Sequence, residues 1–435
     1  MTSSLIEAID VFISGDWGEG ACSPEFSNEV ACIRGADIEN VQGGNYYSIP
    51  HRYLSVTLLK SRKLQVGDVI VEKSGGSPTQ STGRTCYISE DLIKEKQDVV
   101  CSNFCTAFRL KEDWDYKYIY YYIQNIYNQG IFFNFEGKTS GIRNLLIDIA
   151  FKSIHLPVID KSIQVKISNI LDCIDRKIAL NTQINVKLEE MAKQLYDYWF
   201  VQFDFPDKNG KPYKSSGGKM VWNEKLQREI PEGWDKILIS DLIKEKKAGD
   251  WGQNEKTDSY ALKVNCIRGA DFNNPTNAPV RFINTKNSNR LLEEDDIVVE
   301  ISGGSPVQAT GRSLYVTKEL LDNYDDDLTC SNFCQALTFY DKTIAPYFFY
   351  MWNMFYDNSI MFNYEGKTSG IKNLLIDIFL NNHWYLPPTQ LLLDFATTTK
   401  SIMSLKDSNI KETNHLTHLR DSLLPMLMNG QISIE

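Results

Sequence analysis

The chain has 435 residues, of which 42% are hydrophobic and 23% charged, and its net charge is −10. Length and composition suit two or three globular domains and exclude wholesale disorder or a collagen-like repeat; no run of about 18 apolar residues exists to cross a membrane. The acidic balance argues against a protein that coats nucleic acid regardless of sequence, because that binding rests on phosphate neutralisation.

In chain order, Gly15-Asp16-Trp17-Gly18 comes first, then Cys32-Ile33-Arg34-Gly35-Ala36-Asp37. Asp68 to Val71 is a short β-branched run that predicts a strand ending at the turn Ser74-Gly75-Gly76-Ser77-Pro78. Cys101-Ser102-Asn103-Phe104-Cys105 follows. Phe104 to Leu110 alternates as a strand does, and Tyr116 to Tyr127 predicts an aromatic helix. Phe132, Phe133 and Phe135 lead into Gly137-Lys138-Thr139-Ser140 and Arg143 on a stretch that reads as a loop. The segment closes at Leu156-Pro157.

Each of these motifs returns. The second set comprises Gly249-Asp250-Trp251-Gly252, Cys266-Ile267-Arg268-Gly269-Ala270-Asp271, Ser302-Gly303-Gly304-Ser305-Pro306 and Cys330-Ser331-Asn332-Phe333-Cys334, closing at Leu386-Pro387. Asn134 to Ile149 matches Asn363 to Ile378 at 14 of 16 positions. One domain is duplicated; repeats of a solenoid would be about 20–50 residues long.

A polar-apolar segment follows each copy. Ile163, Ile167, Ile170, Ile174, Ile184, Leu188, Met191, Leu195 and Tyr198 make one seam, and Leu391, Phe395, Ile402, Leu405, Leu416, Leu419 and Leu423 make the other. Such spacing predicts helices over about 160–200 and 389–429, each some 60 Å long. Neither buries its stripe alone, so the two are expected to pack antiparallel on each other. Polar breaks interrupt both seams near mid-length, at Lys177 and Asn181 and at Asn409 and Glu412. Aligning the midpoints puts Asn181 opposite Asn409 and Lys177 near Glu412, a polar layer that would fix register.

The expected fold is therefore α/β, with a curved mixed sheet in each of two similar globules joined by two long antiparallel coiled-coil helices. The expected boundaries are 1–157 and 230–387 for the globules, 158–202 for the central helix, 203–229 for a Gly/Pro/Lys-rich linker loop and 388–435 for the last helix and tail.

Two loops in each copy carry groups suited to DNA. Ser74, Gly75, Gly76, Ser77, Gln80 and Arg84, with Ser302, Gly303, Gly304, Ser305, Gln308 and Arg312, combine close-approach glycines with residue types that read adenine and guanine edges. A plain turn between strands fits the spacing equally. Lys138, Thr139, Ser140 and Arg143, with Lys367, Thr368, Ser369 and Lys372, suit phosphate contact. The Arg143/Lys372 exchange favours a point charge over a bidentate base contact. A structural turn on an aromatic core is the alternative.

Other chemistry finds little support. Gly-Lys-Thr-Ser lacks the earlier glycine of a phosphate loop, since Phe132 and Met361 stand there. Cys101/Cys105 and Cys330/Cys334 suit small buried thiols better than a metal site, and the nine cysteines read as reduced thiols in a cytoplasm. The N-terminus has neither the basic nor the apolar region of a secretory signal. No Asn-Pro-Pro-aromatic tetrapeptide occurs, so the usual signature of an amino-group DNA methyltransferase is missing. The residues point to a binder, not a catalyst.

Tyr198 to Pro206, Asn209-Gly210-Lys211-Pro212-Tyr213, Gly217-Gly218-Lys219-Met220, Ile230-Pro231-Glu232-Gly233-Trp234 and Leu419 to Gly430 carry a further signal. With the duplicated domain and two long helices, the chain resembles the specificity (S) subunit of Type I restriction-modification enzymes over essentially its whole length. One departure is that the first copy has no Pro-x-Gly-Trp lead, so the resemblance there starts inside the globule. The resemblance implies two target recognition domains, each reading half of a bipartite double-stranded DNA site. It implies no cofactor in this chain. Two methylation (M) subunits would bind S-adenosylmethionine and methylate adenine, and restriction (R) subunits would use ATP and Mg. The competing classes are a coiled-coil scaffold whose globules bind protein and a self-sufficient methyltransferase.

Overall fold

The computed structural model describes residues 2–432 apart from 78, 140, 141, 304, 306, 369 and 370, and only the backbone of 138, 139, 142, 367 and 368. It divides into two compact units, residues 1–180 with 413–435 and residues 181–412. Each unit contains one globule and a stretch of both long helices.

In the first unit, a four-stranded antiparallel sheet runs Ile9–Ser14, Cys105–Leu110, Val69–Glu72, Thr85–Tyr87. A second sheet is mixed, with Asn28–Ile33 antiparallel to His51–Leu54 and parallel to Val99–Cys101. A third joins Glu136–Thr139, Ile142–Leu145 and the two-residue strand Ser74–Gly75. The second unit repeats all three, with Ile297–Glu300 and Cys334–Phe339 central in its four-stranded sheet. The expected single curved sheet is thus several small ones. The Ser-Gly-Gly turn is a strand, and the Gly-Lys-Thr loop is a hairpin. The strand rule missed both, because two-residue strands and a polar hairpin lack a β-branched run.

Hydrophobic pattern sets the rest. In the first unit, Val69, Ile70 and Val71 are wholly buried between neighbouring strands. The helix Tyr116–Asn128 is capped by the Asp115 carboxylate, which accepts from the Tyr118 N–H. It buries Tyr118, Ile119 and Ile123 against Phe108, Phe132 and Phe151. In the second unit, Phe200, Phe203, Trp234, Tyr347, Tyr385 and Phe395 form one aromatic core. The linker is therefore no loose loop: Phe203 is buried although it adopts φ +65°, and Met220–Asn223 pairs with Arg228–Pro231 as a hairpin.

The long helices are continuous over Lys161–Tyr196 and Thr389–Met428. Within the first unit the Arg420 guanidinium meets Asp175 at 2.9 Å. Within the second, Glu189 pairs with Lys406, the Asn409 amide donates to Asn185 at 2.8 Å and the Asn181 amide donates to Glu412 at 2.7 Å. Partner numbers rise in one helix as they fall in the other, so the helices run antiparallel. A polar layer exists, but Asn181 and Asn409 stand about one turn out of the expected register. Asn181 meets Glu412, not Asn409. Midpoint alignment takes no account of which side chains can pair, and the register follows the Asn181–Glu412, Asn185–Asn409 and Glu189–Lys406 matches instead. Ile170, Met191, Leu405 and Leu419 of the expected seams are also exposed, because a straight helix drifts off a strict heptad line.

A double-mutant cycle tests this register. Asn181→Ala should cost about 1–3 kcal/mol, and its coupling to Glu412→Ala, read by chemical denaturation, should be about 0.5–3 kcal/mol. Coupling to Asn409→Ala should be smaller; the reverse order would restore the midpoint alignment.

Candidate nucleic-acid interface

The four repeated motifs lie far apart in sequence, yet the fold brings them together. The Asp16 N–H donates to the Cys101 carbonyl at 2.7 Å, and the Cys32 thiol lies 3.5 Å from the Asp16 carbonyl. Gly15 sits so close to the Cys101–Cys105 turn that a Cβ there would meet the Ser102 carbonyl oxygen at 1.9 Å. Only glycine fits. The Lys73 and Ser74 N–H groups both donate to the Phe104 carbonyl, at 2.8 and 3.0 Å. Copy two repeats these contacts: Asp250 to Cys330 at 2.7 Å, Gly249 against Ser331 at 1.9 Å, and Ile301 and Ser302 to Phe333 at 2.8 and 3.2 Å.

A buried ion pair lies beneath this junction. Arg84 donates through Nε and Nη2 to both carboxylate oxygens of Glu72, at 3.0 and 2.6 Å. The Glu72 side chain is only 3% exposed. Its Oε1 lies where a Cβ of Gly35 or Gly75 would fall, 2.5 and 2.6 Å away. Arg312 and Glu300 make the same pair at 2.9 and 2.7 Å. Arg84 and Arg312 therefore do not stand ready to read guanine. Their forks are already filled by a carboxylate, which is the geometry that makes arginine suited to either task.

The cations of the second loop are engaged in the same way. Arg143 Nη1 donates to Glu136 at 2.7 Å, and Lys372 meets Glu365 at 2.9 Å. Both cations lie over an aromatic ring, Phe133 at 5.7 Å and Phe362 at 4.6 Å. The other carboxylate oxygen accepts from the backbone of Thr82 or Thr310, at 2.7 and 2.8 Å. Burial opposes ionisation of Glu365, but the Thr310 and Lys372 hydrogen bonds hold its carboxyl below the usual range. A glutamate shared by both copies explains why arginine and lysine can exchange here.

The two loops are one structure. Arg143 pairs with Gly75 and Asn144 with Ser74 in a single sheet, and the Ser74 hydroxyl donates to Asn144 at 2.5 Å. Lys372–Gly303 and Asn373–Ser302 repeat the register, with Ser302 donating to Asn373 at 2.5 Å. Beyond that sheet the chain turns back, the Ser77 N–H reaching the Gln80 carbonyl at 2.7 Å and Ser305 reaching Gln308 at 2.9 Å. Gly76 takes φ +72° in the first turn. Gln80 and Gln308 are exposed at these tips. The backbones of Lys138, Thr139, Lys367 and Thr368 close the adjoining hairpins. Ser140, Gly304 and Ser369 lie outside the described residues.

A pocket of about 420 Å³ opens where the motifs of the first globule meet. Trp17, Arg34, Ser74, Ser102, Asn103 and Phe104 line it. Arg52 lies 4.3 Å over the Trp17 ring and holds it. Arg34 is fixed by Asp37, which accepts from Nε and Nη2 at 2.8 Å each. Sequence reasoning passed over Trp17, Arg34, Asn103 and Phe104 as binding residues. Their one signal was recurrence at Trp251, Arg268, Asn332 and Phe333. The cysteines of the two Cys-Ser-Asn-Phe-Cys turns are buried thiols; desolvation pushes Cys105 up to about 12 and Cys334 to about 11.

These contacts predict different outcomes for residues once grouped together. Arg84→Ala strands a buried carboxylate and should destabilise the chain by about 3–5 kcal/mol. Gln80→Ala, at an exposed tip, should stay within about 0.5 kcal/mol of wild type. Denaturation midpoints of the two variants, measured side by side, check the assignment.

Known proteins resemble the chain in sequence and in fold. Residues 31–190 match the family described as Type I restriction modification DNA specificity domain. The Type I restriction enzyme MjaIX specificity subunit of Methanocaldococcus jannaschii is 24% identical over 294 residues, 65% of this chain and 62% of that protein. The match thus spans just under two thirds of that relative. The HindI specificity subunit of Haemophilus influenzae is 24% identical over 357 residues, 68% of this chain and 73% of its own. The crystal structure of a Type I restriction-modification S subunit from M. genitalium has the same fold, with a TM-score of 0.61 at 16% identity over 98% of this chain and 96% of that one. Residues 31–190 thus match the Type I restriction modification DNA specificity domain, and the chain is similar over about two thirds of its length to Type I specificity subunits.

Proposed function

We propose that this chain is the sequence-specific DNA-binding subunit of a Type I restriction-modification complex, and that each globule reads one half of a bipartite site. The observation that carries the reading is that one surface, built from four sequence-distant motifs, is made twice. A scaffold would need two helices; it would not need the same exposed tips of Gln80, Asn103 and Phe104 and of Gln308, Asn332 and Phe333.

The chain itself performs no chemistry in this reading. It positions two M subunits, which supply S-adenosylmethionine and methylate adenine, and R subunits, which supply ATP- and Mg-dependent restriction, all in the cytoplasm. The acidic balance fits a subunit whose affinity for DNA is completed by those partners. Base reading falls to the exposed tips, because Arg84, Arg312, Arg143 and Lys372 are engaged by carboxylates. Lys138 and Lys367, with Thr139 and Thr368, take the phosphates, as do Ser140 and Ser369.

Identical groups on one backbone select the same bases. The two half-sites are therefore identical, or differ by about one base when read on opposite strands, with an unread spacer between them. Thr79 against Val307 is one difference at the tips, and the segments 41–65 and 275–293 also diverge.

Two measurements test the reading. Methylome sequencing should return adenine methylation in a split, near-palindromic motif; two unrelated half-sites would move the reading function to the divergent segments. Gel shifts with and without the M subunit should show specific binding that Lys138→Ala or Lys367→Ala weakens at every sequence, lowering the salt slope by about 1. Absence of DNA binding, with protein bound instead, would favour the scaffold.

A further inference from the structure

The groups around the first pocket do not resemble a surface that only lies along a groove. Phe104 is 56% exposed, and so is Phe333 at the equivalent place. A single exposed apolar side chain needs no explanation. These two differ because each is held. Both stand on a tight turn closed by an N–H to carbonyl bond, Cys105 to Ser102 at 2.9 Å and Cys334 to Ser331 at 2.8 Å. Each phenylalanine's own carbonyl takes two more N–H groups from the neighbouring Ser-Gly-Gly segment. The ring is thus presented on a rigid mount.

Directly beside Phe104 lies the pocket of about 420 Å³, within the range of roughly 300–1,000 Å³ that accepts small ligands. Its wall includes Trp17, braced by Arg52, and its rim carries the exposed amide of Asn103 and the Arg34 guanidinium held by Asp37. An aromatic wall and an amide are groups that stack on and hydrogen-bond to an unpaired nucleobase, and the Arg34 guanidinium, its Nε–Nη2 edge taken by Asp37, offers a planar face for stacking. A fixed apolar ring is the group that fills a gap left between base pairs. In the second globule Trp251 lies under Arg281 at 4.2 Å, and its backbone N–H donates to the Asn332 side-chain oxygen at 2.7 Å, so the corresponding tryptophan and asparagine stand together there.

We propose that each globule extrudes one nucleotide of its half-site: Phe104 or Phe333 enters the stack as a wedge, and the pocket behind it receives the displaced base. The proposal rests on the DNA-reading function above. The extruded base is distinct from the adenine that the M subunits methylate. Selectivity then comes partly from how easily a step unstacks, with pyrimidine–purine steps favoured at the wedge.

The test uses the full complex with M subunits and duplexes carrying 2-aminopurine at successive positions of the methylome-mapped site. Specific binding should raise fluorescence at one position per half-site other than the methylated adenine. Phe104→Ala should abolish the rise in one half only and weaken specific binding about tenfold. Phe104→Trp, which keeps a wedge, should retain it. The exposed position leaves folding intact, which circular dichroism of each variant checks. Specific binding with no rise outside the methylated adenine, or equal behaviour of the Ala and Trp variants, overturns the proposal while the DNA-reading function stands. Absence of sequence-specific binding by wild type overturns both.

Discussion

The buried Glu72–Arg84 pair, with Glu300–Arg312 as its double, is the interaction on which each globule's functional surface depends. It lies between the central strand of the four-stranded sheet and the loop that follows, and it leaves room only for glycine at Gly35 and Gly75. A buried charge pair is often no more stable than an apolar substitute, but losing one partner is costly. Here the pair also defines shape. The glycines it requires let the Arg-Gly-Ala-Asp and Ser-Gly-Gly segments close over it, and those segments form one side of the pocket.

Polar matching has the same role in the helices. The Asn181–Glu412 and Asn185–Asn409 contacts share the helix pair with buried apolar residues such as Ala192 and Met403. Hydrocarbon packing alone tolerates slippage by a turn, whereas hydrogen-bonded pairs do not. The helices thus owe adhesion to the apolar face and register to a few amides and carboxylates.

How much of this was legible in the sequence depended on the range of the interaction. The duplication, both long helices and the strands at Val69 and Ile297 could be read directly, because periodicity and self-similarity are local signals. The residues of the pocket were visible only as recurring letters. The carboxylate partners of Arg84 and Arg143 were not legible for a physical reason. An arginine that reads guanine and one that clasps a carboxylate are the same residue, and the acceptors Glu72 and Glu136 stand outside the conspicuous motifs. Arg84 and Glu72 are 12 positions apart, brought together only by strand pairing. Likewise Phe203 looked like part of a loop because Gly, Pro and Lys follow it, yet the aromatic core recruits it from Trp234 and Tyr385, tens to hundreds of residues away.

The division of the chain into units has a consequence for its synthesis. The second unit is one uninterrupted stretch, residues 181–412, while the first is assembled from residues 1–180 and 413–435. Leu424, Leu427 and Met428 belong to the same core as Leu5, Phe108 and Leu171. On a ribosome adding about 5–20 residues per second, the globule translated first must wait for some 230 more residues before that core can close. The second unit can finish folding ahead of it. Order of translation and order of completion are inverted, and the earliest globule stays incompletely packed for at least about ten seconds.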